Sequence, residues 1–98
     1  MNDEAEYRIA IQPIDYDITT KEYMYQYGPQ VSSMKHVLFS SSPSRIWNFL
    51  SDTEVKMENG ETFSQYYPTQ AEAEYACKQH HRLTILNKRD IEYIYVPV

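Results

Sequence analysis

The chain reads as one α+β domain over residues 1–98, a largely antiparallel sheet packed against one main helix (about 70–84) with a short helix (about 43–50) beside it. Two observations predict this. Short runs of alternating apolar and polar residues, the strand period, recur along the chain, and a capping box opens a long helical run at Thr69. The resulting order is strand, strand, strand, short helix, strand, strand, long helix, strand, which groups neighbouring strands as α+β folds do. At this length roughly two-thirds of the unfolded chain's surface can be buried, and 42% of the residues are hydrophobic.

Tyr7 to Ile14 is the first strand, with Tyr7, Ile9 and Ile11 on one face and Pro13 ending it. Asp15 to Lys21 is polar and connects. Glu22 to Tyr27 is a second strand, closed by Gly28-Pro29, and Met34 to Ser40 a third, more buried one around Val37-Leu38-Phe39. With only two glycines in the chain, each is expected to mark a turn. Ser42-Pro43 fits an N-cap followed by proline at the first helical position, so a short helix is expected from Ser42 to Leu50. Its Ile46, Trp47, Phe49 and Leu50 cover most of the circumference.

Val55 to Tyr67 is a hairpin around Asn59-Gly60. A three-residue loop, Glu58-Asn59-Gly60 with Gly60 left-handed, puts Val55, Met57 and Phe63 on one face; a two-residue loop mixes polar with apolar residues. Thr69-Gln70-Ala71-Glu72 starts the main helix, whose Ala73, Ala76, Cys77, His80 and Leu83 share a face. Ile91 to Val96 is the last strand, apolar on both faces and therefore central or covered on both sides.

The composition narrows the function classes. A single cysteine forms no internal disulfide and fits a reducing compartment. The acidic start Met1-Asn2-Asp3-Glu4 is not a signal peptide, and no apolar run reaches the ~18 residues of a membrane span. A soluble, cytoplasmic protein is expected. The net charge is −5. Acids gather in residues 1–27 and 50–74, while 78–89 hold Lys78, Arg82, Lys88 and Arg89 with no acid. Duplex nucleic-acid binding, which needs a broad basic face, is not expected.

Ten tyrosines are the most informative feature. Tyr23, Tyr25 and Tyr27 lie two apart, as do Tyr93 and Tyr95, so each group forms a ladder on one strand face. A ring with a hydroxyl suits a surface that is covered part of the time, although tyrosine also serves plain sheet packing. Acids flank the ladders at Asp15, Asp17, Glu22, Asp90 and Glu92, giving tyrosines an acidic surround suited to a basic protein surface.

Catalytic and metal chemistry find less support. Cys77 and His80 share a helical face, but His36 and His81 are the only other histidines, and a structural zinc site wants four ligands. Cys77 sits mid-helix on the buried face, a poor position for a nucleophile. Ser40-Ser41-Ser42 lacks the glycines and lysine of a phosphate loop, and capping is its ordinary role.

The sequence therefore predicts a non-enzymatic protein-binding module without cofactor or metal, using Tyr23, Tyr25, Tyr27, Tyr93, Tyr95, Asp15, Asp17 and Glu22. Its format is that of a small acidic accessory protein or inhibitor, such as a phage or mobile-element product that blocks a nucleic-acid-handling machine. The alternative is a nucleotide-like ligand stacked on tyrosines, with Arg82, Lys88 or Arg89 meeting a phosphate. The two-faced apolar strand at 91–96 also predicts a homodimer.

Overall fold

The computed structural model describes residues 5–36 and 43–98. Strands β1 (Tyr7–Asp17), β2 (Glu22–His36) and β3 (Pro43–Phe49) form an antiparallel sheet in that order. A 3₁₀ turn (Leu50–Asp52) leaves β3, and helix α1 (Gln70–Asn87) packs on the sheet. The α+β class and the single main helix are as the sequence predicts. The helix runs three residues past the expected end at 84.

Both early prolines lie inside strands rather than ending them. Tyr27 exchanges backbone hydrogen bonds with Tyr67 (2.9 and 2.7 Å), so its N–H and C=O point away from β1. By the two-residue period the N–H and C=O of Tyr25, and the ring nitrogen and C=O of Pro29, face the same way. Pro13 pairs with Tyr25, a position that makes no ladder bond, and its ring faces the open edge of β1. Pro29 faces the gap between Tyr67 and the end of β3, where no bond is due. The expected second and third strands thus fuse into one, β2, although Val37-Leu38-Phe39 and the Ser40–Ser42 cap lie outside the described residues.

Gly28 is not a turn residue. A Cβ built on it would lie 2.6 Å from Phe49 Cε1 and 2.8 Å from Tyr66 Cε1, so it is a point of close ring-to-backbone approach within β2. Phe49 and Tyr66 meet there with ring centroids 5.3 Å apart.

The short helix expected over 43–50 is strand β3, with helical geometry confined to Leu50–Asp52. A segment this short gains little from isolated helix formation. It is apolar on both sides and lies against the unpaired edge of β2, where Gln30 to His36 supply a full ladder. On the face of β3 away from α1, the Arg8 guanidinium lies 4.2 Å from the Trp47 ring centroid, and Arg8 Nε donates to Gln30 Oε1 at 2.6 Å.

Residues 55–67 form a turn rather than a two-stranded ladder. Met57 N–H donates to Glu61 C=O (2.8 Å) and Gly60, at φ +86°, closes the loop onto Met57 C=O. The inward face is the one parity selects: Phe63 is buried in the core, and Val55 and Met57 pack against that core. Val31, Leu50, Phe63 and Ala76 form the core under α1, with Leu50 fully buried.

The last expected strand, Ile91 to Val96, is not in the sheet. Residues 90–98 follow α1 as an exposed segment with no ladder partner among the described residues. Its β-forming composition is a local preference, and a strand requires a neighbour that this sheet does not place beside it.

Candidate functional site

Beyond the core, the β1–β2 hairpin continues outward as a two-stranded arm. Every residue from Ile11 to Tyr25 is exposed. The radius of gyration is 18.5 Å, against about 13 Å for a compact chain of this length.

A β-bulge decides which side chains share a face of this arm. Pro13 pairs with Tyr25 and Asp15 with Met24, leaving Ile14 as the extra residue. The one-residue shift brings Tyr16 opposite Tyr23, on the face that carries Ile11, Pro13, Tyr25 and Tyr27. Tyr16 and Tyr23 meet at 4.7 Å between ring centroids, and Tyr23 and Tyr25 at 6.0 Å, within the range of favourable aromatic pairs. Tyr16 was missing from the sequence-based set because the bulge hides its alternation.

The expected residues are thus partly assembled. Tyr23 and Tyr25 stand on the exposed arm, while Tyr27 sits half-buried at its base, bridged to Tyr67. Tyr93 and Tyr95 lie in the exposed segment after α1, apart from this face.

The acids have local roles as well as charge. Asp17 Oδ1 accepts from the N–H groups of Thr19 (2.8 Å) and Thr20 (3.3 Å), folding the hairpin loop, and Asp15 Oδ1 accepts from Tyr16 N–H at 2.8 Å. The loop closes through Lys21, which is left-handed at φ 59°. By register Asp15, Asp17 and Glu22 lie on the reverse of the tyrosine face, along with the Gln12–Gln26 side-chain hydrogen bond of 2.6 Å. Asp17 and Glu22 stand directly opposite one another, a like-charge pairing that weakens a sheet and makes the tip acidic.

His80 is a structural residue. It is buried, with its ring against Phe63 at 5.4 Å. The Thr53 hydroxyl donates to Leu50 C=O (2.7 Å), so at 2.9 Å it accepts from His80 Nε2–H; Nδ1 then accepts from the Tyr7 hydroxyl at 2.8 Å. Burial, and then His81 nearby, hold His80 below its ordinary pKa of 6.5. Burial, and then the Glu74 carboxylate, push the Cys77 thiol up to about 11. Both ring nitrogens are thus occupied, and at neutral pH Cys77 is disfavoured as a thiolate. Among the described residues no three of His, Cys, Asp or Glu gather closely enough to hold a metal ion.

The alternative phosphate residues lie on the second half of α1 and just after it. Arg82 forms an ion pair with Glu58 and donates to Gln79, Lys88 caps α1, and Arg89 follows it. Near Arg82 an apolar groove of about 700 Å³ runs along α1, lined by Met57, Phe63, Tyr67, Tyr75 and Leu83. Glu58 and Glu72 also border it and would oppose a phosphate. No described helix is long and apolar enough to cross a membrane.

The chain matches no protein-family model, no curated protein and no solved structure.

Proposed function

We propose that the chain is a non-enzymatic protein-binding module that presents the tyrosine face of its β-arm to a basic surface on a partner protein. One observation carries this reading: Tyr16, Tyr23 and Tyr25 are held in mutual contact on a ribbon whose residues 11–25 are all exposed. Aromatic side chains packed against one another on an exposed face are the usual anchors of interfaces. The acidic tip adds long-range attraction to a cationic partner, and blocking such a partner's own charged ligand follows from covering that surface. The nucleotide-like reading has less support, because Arg82 is already paired and acids border the nearby groove.

The test is binding to an isolated partner, followed by surface kinetics. Tyr23→Ala and Tyr25→Ala are expected to raise the off-rate, the stronger of the two costing about 2 kcal/mol. Glu22→Gln is expected to lower the on-rate at low salt and to have little effect at ~1 M salt, where the Debye length is ~3 Å. A nucleotide that raises the melting temperature, with partner binding indifferent to both tyrosines, would sink the proposal.

A further inference from the structure

The groove along α1 and the segment after α1 have matching character. The groove is floored by Met57, Phe63 and Ala76 and walled by Tyr67, Tyr75 and Leu83. Residues 91–96 carry Ile91, Tyr93 and Tyr95 on one side and Ile94 and Val96 on the other, with Ile94 92% and Tyr95 89% exposed. Apolar surface so fully left in water costs about 25 cal/mol for each Å² that could be buried.

We propose that residues 91–96 of one copy of this chain dock in the α1 groove of a second copy, and that the exchange is reciprocal. Two features select a second copy. The first is the way α1 ends. Lys88 closes it in right-handed geometry (φ −85°, ψ −11°), and the only positive-φ residues among those described are Lys21 and Gly60. The left-handed cap that turns a chain back over its own helix is therefore missing, and the segment leads away.

The second is area. A buried tyrosine covers about 150–250 Å². Tyr93 and Tyr95 from each of two copies, with the groove surface they cover, therefore reach roughly the 1,200 Å² at which specific interfaces begin. Because groove and segment belong to the same chain, one two-fold axis satisfies both contacts and closes the assembly at a dimer. The arm's tyrosine face is untouched by this contact, so the two proposals stand separately.

Sedimentation at tens of micromolar tests this. The full chain is expected at twice 11.7 kDa, and both a chain ending at Arg89 and a Tyr93→Ser/Tyr95→Ser variant at the monomer mass. Ala71→Trp, which fills the groove from α1, is also expected to be monomeric. Mixing it with the chain that ends at Arg89 leaves one segment and one open groove, a single contact of half the area, and is expected to give weaker association than the full chain shows. Cooperative unfolding transitions show that both variants are folded. A full chain that sediments at 11.7 kDa overturns the proposal, and so does a dimer that survives loss of residues 90–98.

Discussion

The Tyr7 hydroxyl donates to His80 Nδ1 at 2.8 Å, joining the first residue of β1 to a position on α1 seventy-three residues later. With Thr53 on the other ring nitrogen, this bond ties sheet, 3₁₀ turn and helix together through one imidazole. Tyr7→Phe would leave Nδ1 buried without a donor and is expected to cost about 1–3 kcal/mol in denaturant unfolding. An unchanged midpoint would show that the bond contributes nothing.

The same imidazole makes stability depend on pH. His80 is held below its ordinary 6.5, so between the folded and unfolded values the unfolded chain binds the extra proton. Its contribution is therefore fully present above pH 6.5 and is lost as the pH falls through the folded value. The wild-type chain is expected to lose more stability than His80→Gln between about pH 7.5 and pH 5. Parallel stability curves for the two would overturn this account.

Gly28→Ala places a methyl group within 2.6 Å of Phe49 and 2.8 Å of Tyr66. The rings must move apart, and overpacking of this kind is expected to cost about 1–3 kcal/mol in urea. Phe49→Leu in the same chain is expected to recover part of the loss, because it removes the closer ring. A double variant no more stable than Gly28→Ala alone would assign the cost to the backbone instead.

Thr69 Oγ1 accepts the Glu72 N–H at the start of α1, at 3.2 Å. Thr69→Ala is expected to lower stability by about 1 kcal/mol. Binding through the arm is expected to be unaffected when measured well below the melting temperature, because the Thr69 hydroxyl serves the first turn of α1. Wild-type stability in this variant would place the effective cap elsewhere.

Cys77, with its thiol raised to about 11, carries little thiolate at neutral pH. Its reaction with a disulfide reagent near pH 8 is expected to speed up on the order of 100-fold when the chain is unfolded in urea. Equal rates in the two states would mean that Cys77 is neither shielded nor perturbed.

Much of the fold is legible in the sequence, because the deciding interactions are local. Thr69 caps the helix that follows it, and the face formed by Ala73, Ala76 and His80 is read from spacing alone. Gly60 is left-handed, as the parity of Val55, Met57 and Phe63 requires. The departures arise where a neighbouring strand decides. Pro13 and Pro29 are tolerated because of where their missing N–H groups point, which depends on pairing register. Segment 43–49 becomes a strand because it pairs along an edge of β2, and segment 91–96 stays out of the sheet because no strand lies beside it among the described residues. At the candidate site the tyrosine alternation of β2 was visible. The contribution of Tyr16 was not, since a bulge at Ile14 breaks the period that would have shown it.

The fusion of two expected strands into β2 has a mechanical consequence. At about 3.4 Å per residue, the stretch of β2 from the acidic tip at Glu22 to Val31 in the core is a lever roughly 30 Å long that runs without a break. An isolated two-stranded ribbon is only marginally stable, so the outer half of the arm opens at a small fraction of the global unfolding free energy. Clamping Tyr23 and Tyr25 would slow amide hydrogen exchange beyond the contact itself, along β2 toward Tyr27 and its bridge to Tyr67. Occupancy at the tip would thereby be registered as rigidity at the base.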